Sequence, residues 1–468
     1  MRPVLVLDVV GLTQRQLGPD TPHLTALARR GASAPMSTIL PAVTCSAQAT
    51  MLTGTLPSEH GAVGNGWRDP RTYEVALWRQ SNHLVRGEKL YEAAARRDPS
   101  FTCAKLFWWW NMGADVAWSL TPRPFYPADG RKVLATYSSP PSFREAVEGD
   151  LGPFPFFQFW GPKAGLASSR WIADAALRTL RVERPTLTLV YLPHLDYDHQ
   201  RFGPRDPRSV QALREVDGLV GELVAAADAQ GAATVVVSEY GITDTPKPVH
   251  INRALRAAGL LVARAAPPSD PAIGDALDVF ASRAYAVVDH QLAHVYTRDT
   301  ASRAAARRVL EALPGVAEVL EGPSRAAAGL DHENAGDLIA LSERDAWFTY
   351  YYWTDPACAP DFAPTVDIHR KPGYDPCEMF VDPKLAVPAL RVARRLAQKK
   401  LGFRYLMDVI PLDATLVKGS HGLHAAHPAD GPVWISSEPW SAASPEPAGD
   451  SVPMTSVKER VLGLLQRT

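Results

Sequence analysis

Short apolar runs alternate with longer amphipathic stretches along most of this chain. Residues 4–7, 186–192 and 234–237 are runs rich in valine, leucine and threonine, which is typical of buried strands. Residues 209–229 have the apolar spacing of a long helix between the last two runs. The alternation predicts an α/β fold with a mainly parallel central sheet that is flanked by helices.

Polar side chains follow each of these three predicted strands. They are Asp8 after the first strand, His194, Asp196 and Asp198 after the second, and Glu239 and Tyr240 after the third. In open α/β sheets, ligands bind outside the carboxyl ends of the strands. We therefore expect these side chains to line one cleft.

The chain changes character between residues 251 and 334. This segment has alanine- and arginine-rich helical stretches around strand-like runs at 284–288 and 294–297. We predict that residues 251–334 form an inserted cap subdomain. The catalytic core then comprises residues 1–250 and 335–468.

Composition and charge are those of an ordinary globular protein. The 468 residues are 46% hydrophobic and 21% charged, with a net charge of -1. Binding to a nucleic-acid polymer or to a membrane surface needs clustered positive charge, so we do not predict either as a partner. The four cysteines are scattered without a C-x-x-C pair. Neither a signal-peptide core nor a run of ~20 apolar residues is present. We predict a cytoplasmic protein without a membrane span.

One segment places a hydroxyl at a predicted helix start. Thr44 begins a stretch that runs to a glycine at position 54. A helix N-terminus stabilises negative charge, and a bound metal would lower the pKa of the hydroxyl further. Thr44 could then attack phosphorus as an alkoxide. Taken alone, a threonine at a helix start is more often a simple cap.

The order of the N-terminal motifs changes that balance. The motifs are Asp8 after a strand, Thr-Pro-His-Leu at 21–24, Thr44, Leu-Thr-Gly at 52–54, Pro-Ser-Glu-His-Gly at 57–61, and Asn65. In this order they resemble the nucleotide pyrophosphatase/phosphodiesterase branch of the alkaline phosphatase superfamily. The resemblance implies an alkaline phosphatase-like fold. It also implies that Asp8 binds a metal, that Thr44 is the nucleophile, and that Asn65 holds a phosphoryl oxygen.

Later motifs match that family in position but not always in residue. Asp196 is followed by Gln200 where the family has histidine, and the adjacent His199 is an alternative ligand. Glu239 and Tyr240 stand where the family has Asp-His. Tyrosine could bind a metal as phenolate or only donate a hydrogen bond. The segment Gly-Ser-His-Gly at 419–422 resembles the family's late Gly-x-His-Gly motif, which makes His421 the remaining imidazole ligand.

The altered residues change which metal we expect. The predicted ligands are Asp8, Thr44, Asp196, Gln200, Glu239, Tyr240, His421 and His369. Oxygen-rich ligands suit Mg²⁺, Mn²⁺ or Ca²⁺ better than Zn²⁺, and the resemblance implies two divalent metal sites. His369 joins the set because it lies in an extended segment with Asp367, although that segment could equally be a solvated loop.

Two functions follow from these residues. The first is a metal-dependent phosphohydrolase of the phosphodiesterase or nucleotide pyrophosphatase type, in which Thr44 forms a phospho-threonine intermediate. The cations would be held by Asp8 with Glu239 and by Asp196 with His421. Asn65 is neutral, which suits a small phosphodiester, nucleotide or phosphonate better than a dianionic monoester. The second is a binding protein that keeps the fold but has lost catalytic ligands at Gln200 and Tyr240.

Overall fold

A computed structural model describes residues 1–128, 132–442 and 444–466. The strands are β1 Val4–Val9, β2 Ala32–Ser37, β3 Gly66–Arg68, β4 Val75–Leu77, β5 Cys103–Leu106, β6 Trp118–Pro122, β7 Thr136–Ser139, β8 Leu187–Leu192, β9 Ala233–Val237, β10 Thr243–Asp244, β11 Lys247–Val249, β12 Ala263–Arg264, β13 Ala276–Leu277, β14 Ala284–Asp289, β15 Leu292–Thr297, β16 Val316–Leu320, β17 Leu338–Ser342, β18 Ala346–Phe348, β19 Gly419–Ser420, β20 Val433–Ser436 and β21 Val452–Pro453. The α-helices are α1 Pro22–Arg30, α2 Thr44–Thr53, α3 Pro57–His60, α4 Leu90–Arg97, α5 Pro141–Leu151, α6 Leu166–Val182, α7 His194–Phe202, α8 Pro207–Asp228, α9 Ile251–Ala257, α10 Thr300–Glu311, α11 Pro323–Ala327, α12 Pro388–Lys400 and α13 Val457–Leu465. None of the helices in these described segments is long and apolar enough to span a lipid bilayer.

The main sheet has a parallel centre and antiparallel strands towards its edges. In the described part of the chain, nine strands form it in the order β21-β2-β20-β9-β1-β8-β5-β6-β7. The central strand β1 is parallel to β8 and β9, and β5 is parallel to β8 and β6. β20 and β7 run antiparallel to their neighbours. The predicted α/β fold with a mainly parallel sheet is confirmed.

Successive side chains of β1 point to opposite faces of this sheet. Leu5 and Leu7 pack with α6 and α8, whereas Val4 and Val6 pack with α2 and α13. Asp8 follows Val4 and Val6 in the two-residue period, so its carboxyl group points to the face that α2 covers.

Helix α2 lies inside the protein. All its residues are buried, and Gly54 ends it in the left-handed conformation with a φ of 77°. Small residues such as Ala47 and Ala49 allow neighbouring elements to approach from every side. The predicted helix from Thr44 to the stop at Gly54 is confirmed, and it places the Thr44 side chain at the carboxyl edge of the sheet.

A second lobe is inserted in sequence between β9 and β20 of the main sheet. Within the described segments, four strands form its sheet in the order β14-β15-β17-β16. Its hydrophobic cluster draws on residues from Val249 to Val417. The predicted cap, residues 251–334, supplies β14, β15 and β16, whereas β17 comes from beyond it. The division into core and cap therefore stays a prediction.

Candidate active site

Asp8 and Glu239 meet at the carboxyl edge of the main sheet. Asp8 is paired in register with Val237, and Glu239 follows that residue by two positions. Both carboxyl groups are fully buried. The Gln48 side-chain amide donates to Asp8 Oδ2 at 3.1 Å and to Glu239 Oε1 at 2.6 Å, and its own oxygen accepts from the Trp109 backbone N–H at 2.5 Å. Gln48 thus holds the two carboxyl groups together.

Burial disfavours the ionised form of both carboxyl groups in this pair. Burial, and then the neighbouring Glu239 carboxyl, raise the pKa of Asp8 well above its usual range, and burial raises the pKa of Glu239. The two groups are close enough to share a hydrogen bond when one is protonated. With both ionised, Asp8 Oδ1 and Glu239 Oε2 have no hydrogen-bond partner among the described residues. The pair can therefore take up either a proton or a cation.

Thr44 is the first residue of α2 and is only 4% exposed. Its Oγ1 lies 3.3 Å from Tyr240 Oη, and its hydroxyl interacts with the Glu239 carboxyl. Tyr240 in turn donates to Asp196 Oδ1 at 3.2 Å. Burial raises the pKa of Tyr240 well above its usual range, so the phenol keeps its proton. Tyr240 therefore acts here as a hydrogen-bond donor that links the Thr44 hydroxyl to a carboxyl group.

Asp196 and Gln200 lie one turn apart on α7. Gln200 Nε2 donates to Asp196 Oδ2 at 2.7 Å, and Gln200 Oε1 accepts from the Tyr374 hydroxyl at 2.9 Å. Burial raises the pKa of Asp196 to about 7. The adjacent His199 ring lies 3.5 Å from the Gln16 amide nitrogen instead. Consecutive residues of an α-helix are about 100° apart around its axis, so His199 and Gln200 point in different directions although both lie within about one turn of Asp196.

His421 has the hydrogen bonding of a neutral imidazole. Its Nδ1 lies 2.7 Å from the Ala42 carbonyl oxygen and donates to it, and its Nε2 has no partner among the described residues, the Asp196 Oδ1 atom being 3.8 Å away. Burial lowers the pKa of His421 to about 3. Its ring is stacked on Tyr240, with centroids 3.4 Å apart, and contacts the tilted ring of His290, with centroids 3.6 Å apart.

Asn65 is oriented from both sides. Its Oδ1 accepts from the backbone N–H of Cys45, the residue after Thr44, at 3.0 Å. Its backbone N–H and side-chain Nδ2 donate to the two oxygens of Asp289 at 2.6 and 3.0 Å. Burial raises the pKa of Asp289 to about 7. Asp289 ends β14, so the second lobe fixes the amide next to Thr44.

His369 lies elsewhere. It lines a cavity of about 400 Å³ together with Arg123, Tyr126, Lys132, Val366, Asp367 and Arg370. The structure brings together the other predicted residues, which are Asp8, Thr44, Asn65, Asp196, Gln200, Glu239, Tyr240 and His421. We therefore leave His369 out of the candidate site.

Four site residues were missed from the sequence: Gln48, Asp289, His290 and Tyr374. Gln48 carried a usable signal, because it lies four residues after Thr44 on the same helix face. Asp289 carried a second usable signal, because it directly follows the predicted strand at 284–288, just as Asp8 follows the predicted strand at 4–7. The stacking of His290 on Tyr374, with ring centroids 3.8 Å apart, depends on how two distant segments meet.

The Asp8 and Glu239 pair offers oxygen donors, which suit a hard divalent cation better than zinc. Among the described residues, no group of three or more histidine, cysteine, aspartate or glutamate side chains is placed to hold a metal ion. Mg²⁺ is commonly held by one or two carboxylates and completes its shell with water. The unpartnered oxygens of Asp8 and Glu239 provide such a pair. No lysine or arginine in the described segments forms an ion pair with either carboxyl group.

This fold and this order of side chains define a class of protein. The chain belongs to the type I phosphodiesterase/nucleotide pyrophosphatase family, whose model matches residues 4–375. The predicted membership of the alkaline phosphatase superfamily is thereby confirmed. A pyrophosphatase/phosphodiesterase of Schizosaccharomyces pombe is 25% identical over 215 residues. That match covers 44% of this chain and 36% of the yeast protein.

Solved structures share the fold over almost the whole chain. Phosphonoacetate hydrolase from Sinorhizobium meliloti 1021, in complex with phosphonoformate, has a TM-score of 0.61 at 16% identity, and the match covers 99% of this chain and 96% of that one. Murine ectonucleotide pyrophosphatase/phosphodiesterase 5 has a TM-score of 0.58 at 13% identity, with 100% and 96% covered. At these identities the likeness establishes the fold alone.

Proposed function

We propose that this chain is a metal-dependent phosphoric ester hydrolase in which Thr44 is the nucleophile. The observation that carries the proposal is the position of the Thr44 hydroxyl, which contacts Tyr240 Oη at the start of a buried helix beside Glu239. Family membership supports the reaction class. A small phosphodiester, nucleotide or phosphonate is the proposed substrate class. Structural relatives hold phosphonoformate and, in an inactive threonine-to-alanine variant, AMP.

The proton of Thr44 has a path away from the attacking oxygen. As Oγ1 forms a bond to phosphorus, its proton passes to Tyr240 Oη, and the Tyr240 proton passes to Asp196 Oδ1 along contacts of 3.3 and 3.2 Å. The bond from phosphorus to the leaving oxygen breaks, and that oxygen keeps the electron pair. Water then attacks phosphorus, and the bond from phosphorus to Thr44 Oγ1 breaks, so that the hydroxyl of the water stays on the phosphorylated product. The other proton of the water goes to the leaving oxygen or to solvent, and the proton on Asp196 returns through Tyr240 to Thr44 Oγ1.

Two further groups would stabilise the phosphoryl oxygens. A divalent cation held by Asp8 and Glu239 would offset their negative charge and lower the pKa of the Thr44 hydroxyl. The Asn65 amide, which Asp289 and the Cys45 N–H orient, would donate to one phosphoryl oxygen. Because Asn65 is neutral, a substrate with a single negative charge at phosphorus is favoured over a dianionic monoester.

Turnover of bis(p-nitrophenyl) phosphate, with Mg²⁺, Mn²⁺, Ca²⁺ or Zn²⁺ added singly, tests this proposal. Thr44→Ala should lower kcat by on the order of 10³-fold or more, while Thr44→Ser should keep part of the activity. Thr53→Ala is the matched control, because Thr53 ends the same helix and donates to the Ala49 carbonyl. Acid quenching with a ³²P-labelled diester should leave label on the wild-type protein and none on Thr44→Ala. Turnover that is equal in Thr44→Ala and wild type would refute the proposal.

One observation favours a second candidate, a non-catalytic binding protein. Gln200 and Tyr240 already satisfy both oxygens of Asp196, and Tyr240 covers one face of His421. In that case calorimetry should detect AMP binding, no cation should support turnover, and Thr44→Ala should leave the AMP affinity unchanged. A cytoplasmic location also stays a proposal, which cell fractionation would test.

A further inference from the structure

Six of the eight predicted metal ligands fall into two groups that differ in their hydrogen bonding. The Asp8 group consists of Asp8, Glu239 and Thr44. The Asp196 group consists of Asp196, Gln200 and His421. If each group held a cation, each should present oxygen or nitrogen lone pairs that no protein donor already occupies.

The Asp8 group presents such lone pairs. Gln48 donates to one oxygen of each carboxyl group and leaves the other oxygen of each, Asp8 Oδ1 and Glu239 Oε2, without a partner in the described part of the chain. Both side chains are 0% exposed, so bulk water does not satisfy these oxygens. The Thr44 hydroxyl next to Glu239 adds a third oxygen. Two carboxylates and a hydroxyl, completed by water, make a site for a hard divalent cation.

In the Asp196 group, neutral donors already form hydrogen bonds to both carboxylate oxygens. Tyr240 donates to Asp196 Oδ1 and Gln200 donates to Asp196 Oδ2. The remaining Gln200 oxygen accepts from Tyr374. The His421 Nε2 atom has no partner among the described residues, and it is the single nitrogen ligand of this group. One imidazole without a free carboxylate is a weak site for Mg²⁺ or Mn²⁺.

We propose that this protein holds one hard divalent cation per chain, at Asp8, Glu239 and Thr44, and that Asp196 is instead a hydrogen-bonded support for Tyr240. The inference rests on the proposed function only in that Thr44 belongs to both. Cation binding is measured without turnover, so the two can be tested separately. It departs from the two metal sites that we expected from the sequence.

Equilibrium dialysis of the full-length, chelator-treated protein against Mn²⁺ tests the stoichiometry. We expect one Mn²⁺ per chain, with the electron paramagnetic resonance spectrum of a mononuclear ion. Asp8→Asn should weaken binding by on the order of 100-fold, and Glu239→Gln, which tests the same site from its other carboxylate, should do likewise. Asp196→Asn is the matched variant, because it replaces an equally buried aspartate, and it should leave one Mn²⁺ bound.

Three results would overturn the inference: two Mn²⁺ per wild-type chain, none, or binding that is lost in Asp196→Asn and kept in both Asp8→Asn and Glu239→Gln. Circular dichroism confirms that each variant is folded before dialysis. The proposed function fails separately. One bound Mn²⁺ without turnover would refute the hydrolase and keep this site, whereas two bound Mn²⁺ with turnover would do the reverse.

Discussion

Replacing Gln48 by methionine tests whether its amide holds the carboxyl pair of the site together. Methionine keeps the length and flexibility of the side chain and removes its donor and its acceptor. Three buried groups then lose a partner: Asp8 Oδ2, Glu239 Oε1 and the Trp109 backbone N–H. The perturbation is therefore confined to hydrogen bonding at fixed volume.

The magnitude follows from those three groups. A buried polar group that is left without its partner costs about 1–3 kcal/mol. Asp8 and Glu239 are close enough to share a proton, which recovers part of the loss at the carboxyl groups. We expect the free energy of unfolding of Gln48→Met, without metal, to be about 3–5 kcal/mol lower than that of the wild type.

Urea unfolding, followed by tryptophan fluorescence in the presence of a chelator, measures this difference. Gln211→Met is the matched control, because Gln211 also donates to a glutamate, Glu215, at 3.1 Å, but on the exposed side of α8. The control should change the free energy of unfolding by less than about 0.5 kcal/mol. If Gln48→Met unfolds at the same urea concentration as this control, the bridging role of Gln48 is refuted.

Three further predictions concern burial, protonation and metal. Lys371 is 1% exposed and pairs with Asp375 at 2.7 Å and Glu378 at 2.8 Å, so Lys371→Met should lower the free energy of unfolding by about 3–5 kcal/mol; a loss below that of an exposed lysine substitution would contradict this. Burial lowers the pKa of His60 from 6.5 to about 3. The unfolded chain therefore binds this proton at a higher pH than the folded chain does. As the pH falls below 6.5, the free energy of unfolding decreases, by about 2 kcal/mol at pH 5. His60→Gln should remove that share, so equal urea midpoint shifts between pH 7 and pH 5 in both proteins would rule it out. Mg²⁺ at about 100 times its Kd should raise the wild-type free energy of unfolding by about 2.7 kcal/mol, and an equal rise in Glu239→Gln, again measured by urea unfolding, would disprove binding at that carboxylate.

Local patterns were enough to predict the frame of the site. Asp8 and Glu239 follow apolar runs, and parallel strands bring their carboxyl ends to one edge whatever the rest of the chain does. The extent of α2, from Thr44 to its stop, was also predictable, because a glycine at position 54 marks the end of that helix. These features depend on short-range periodicity, which a sequence displays directly.

The hydrogen bonding of the site depended on contacts between distant segments. Asp289 reaches Asn65 across 224 positions of the chain, and Tyr374 reaches Gln200 across 174. A residue pattern states which groups can donate or accept, but the tertiary structure decides which partners they meet. For that reason the sequence by itself determined the sheet edge, the helix that carries Thr44 and the types of ligand. Only the folded chain showed that Asp8 and Glu239 keep free oxygens while the oxygens of Asp196 are already occupied.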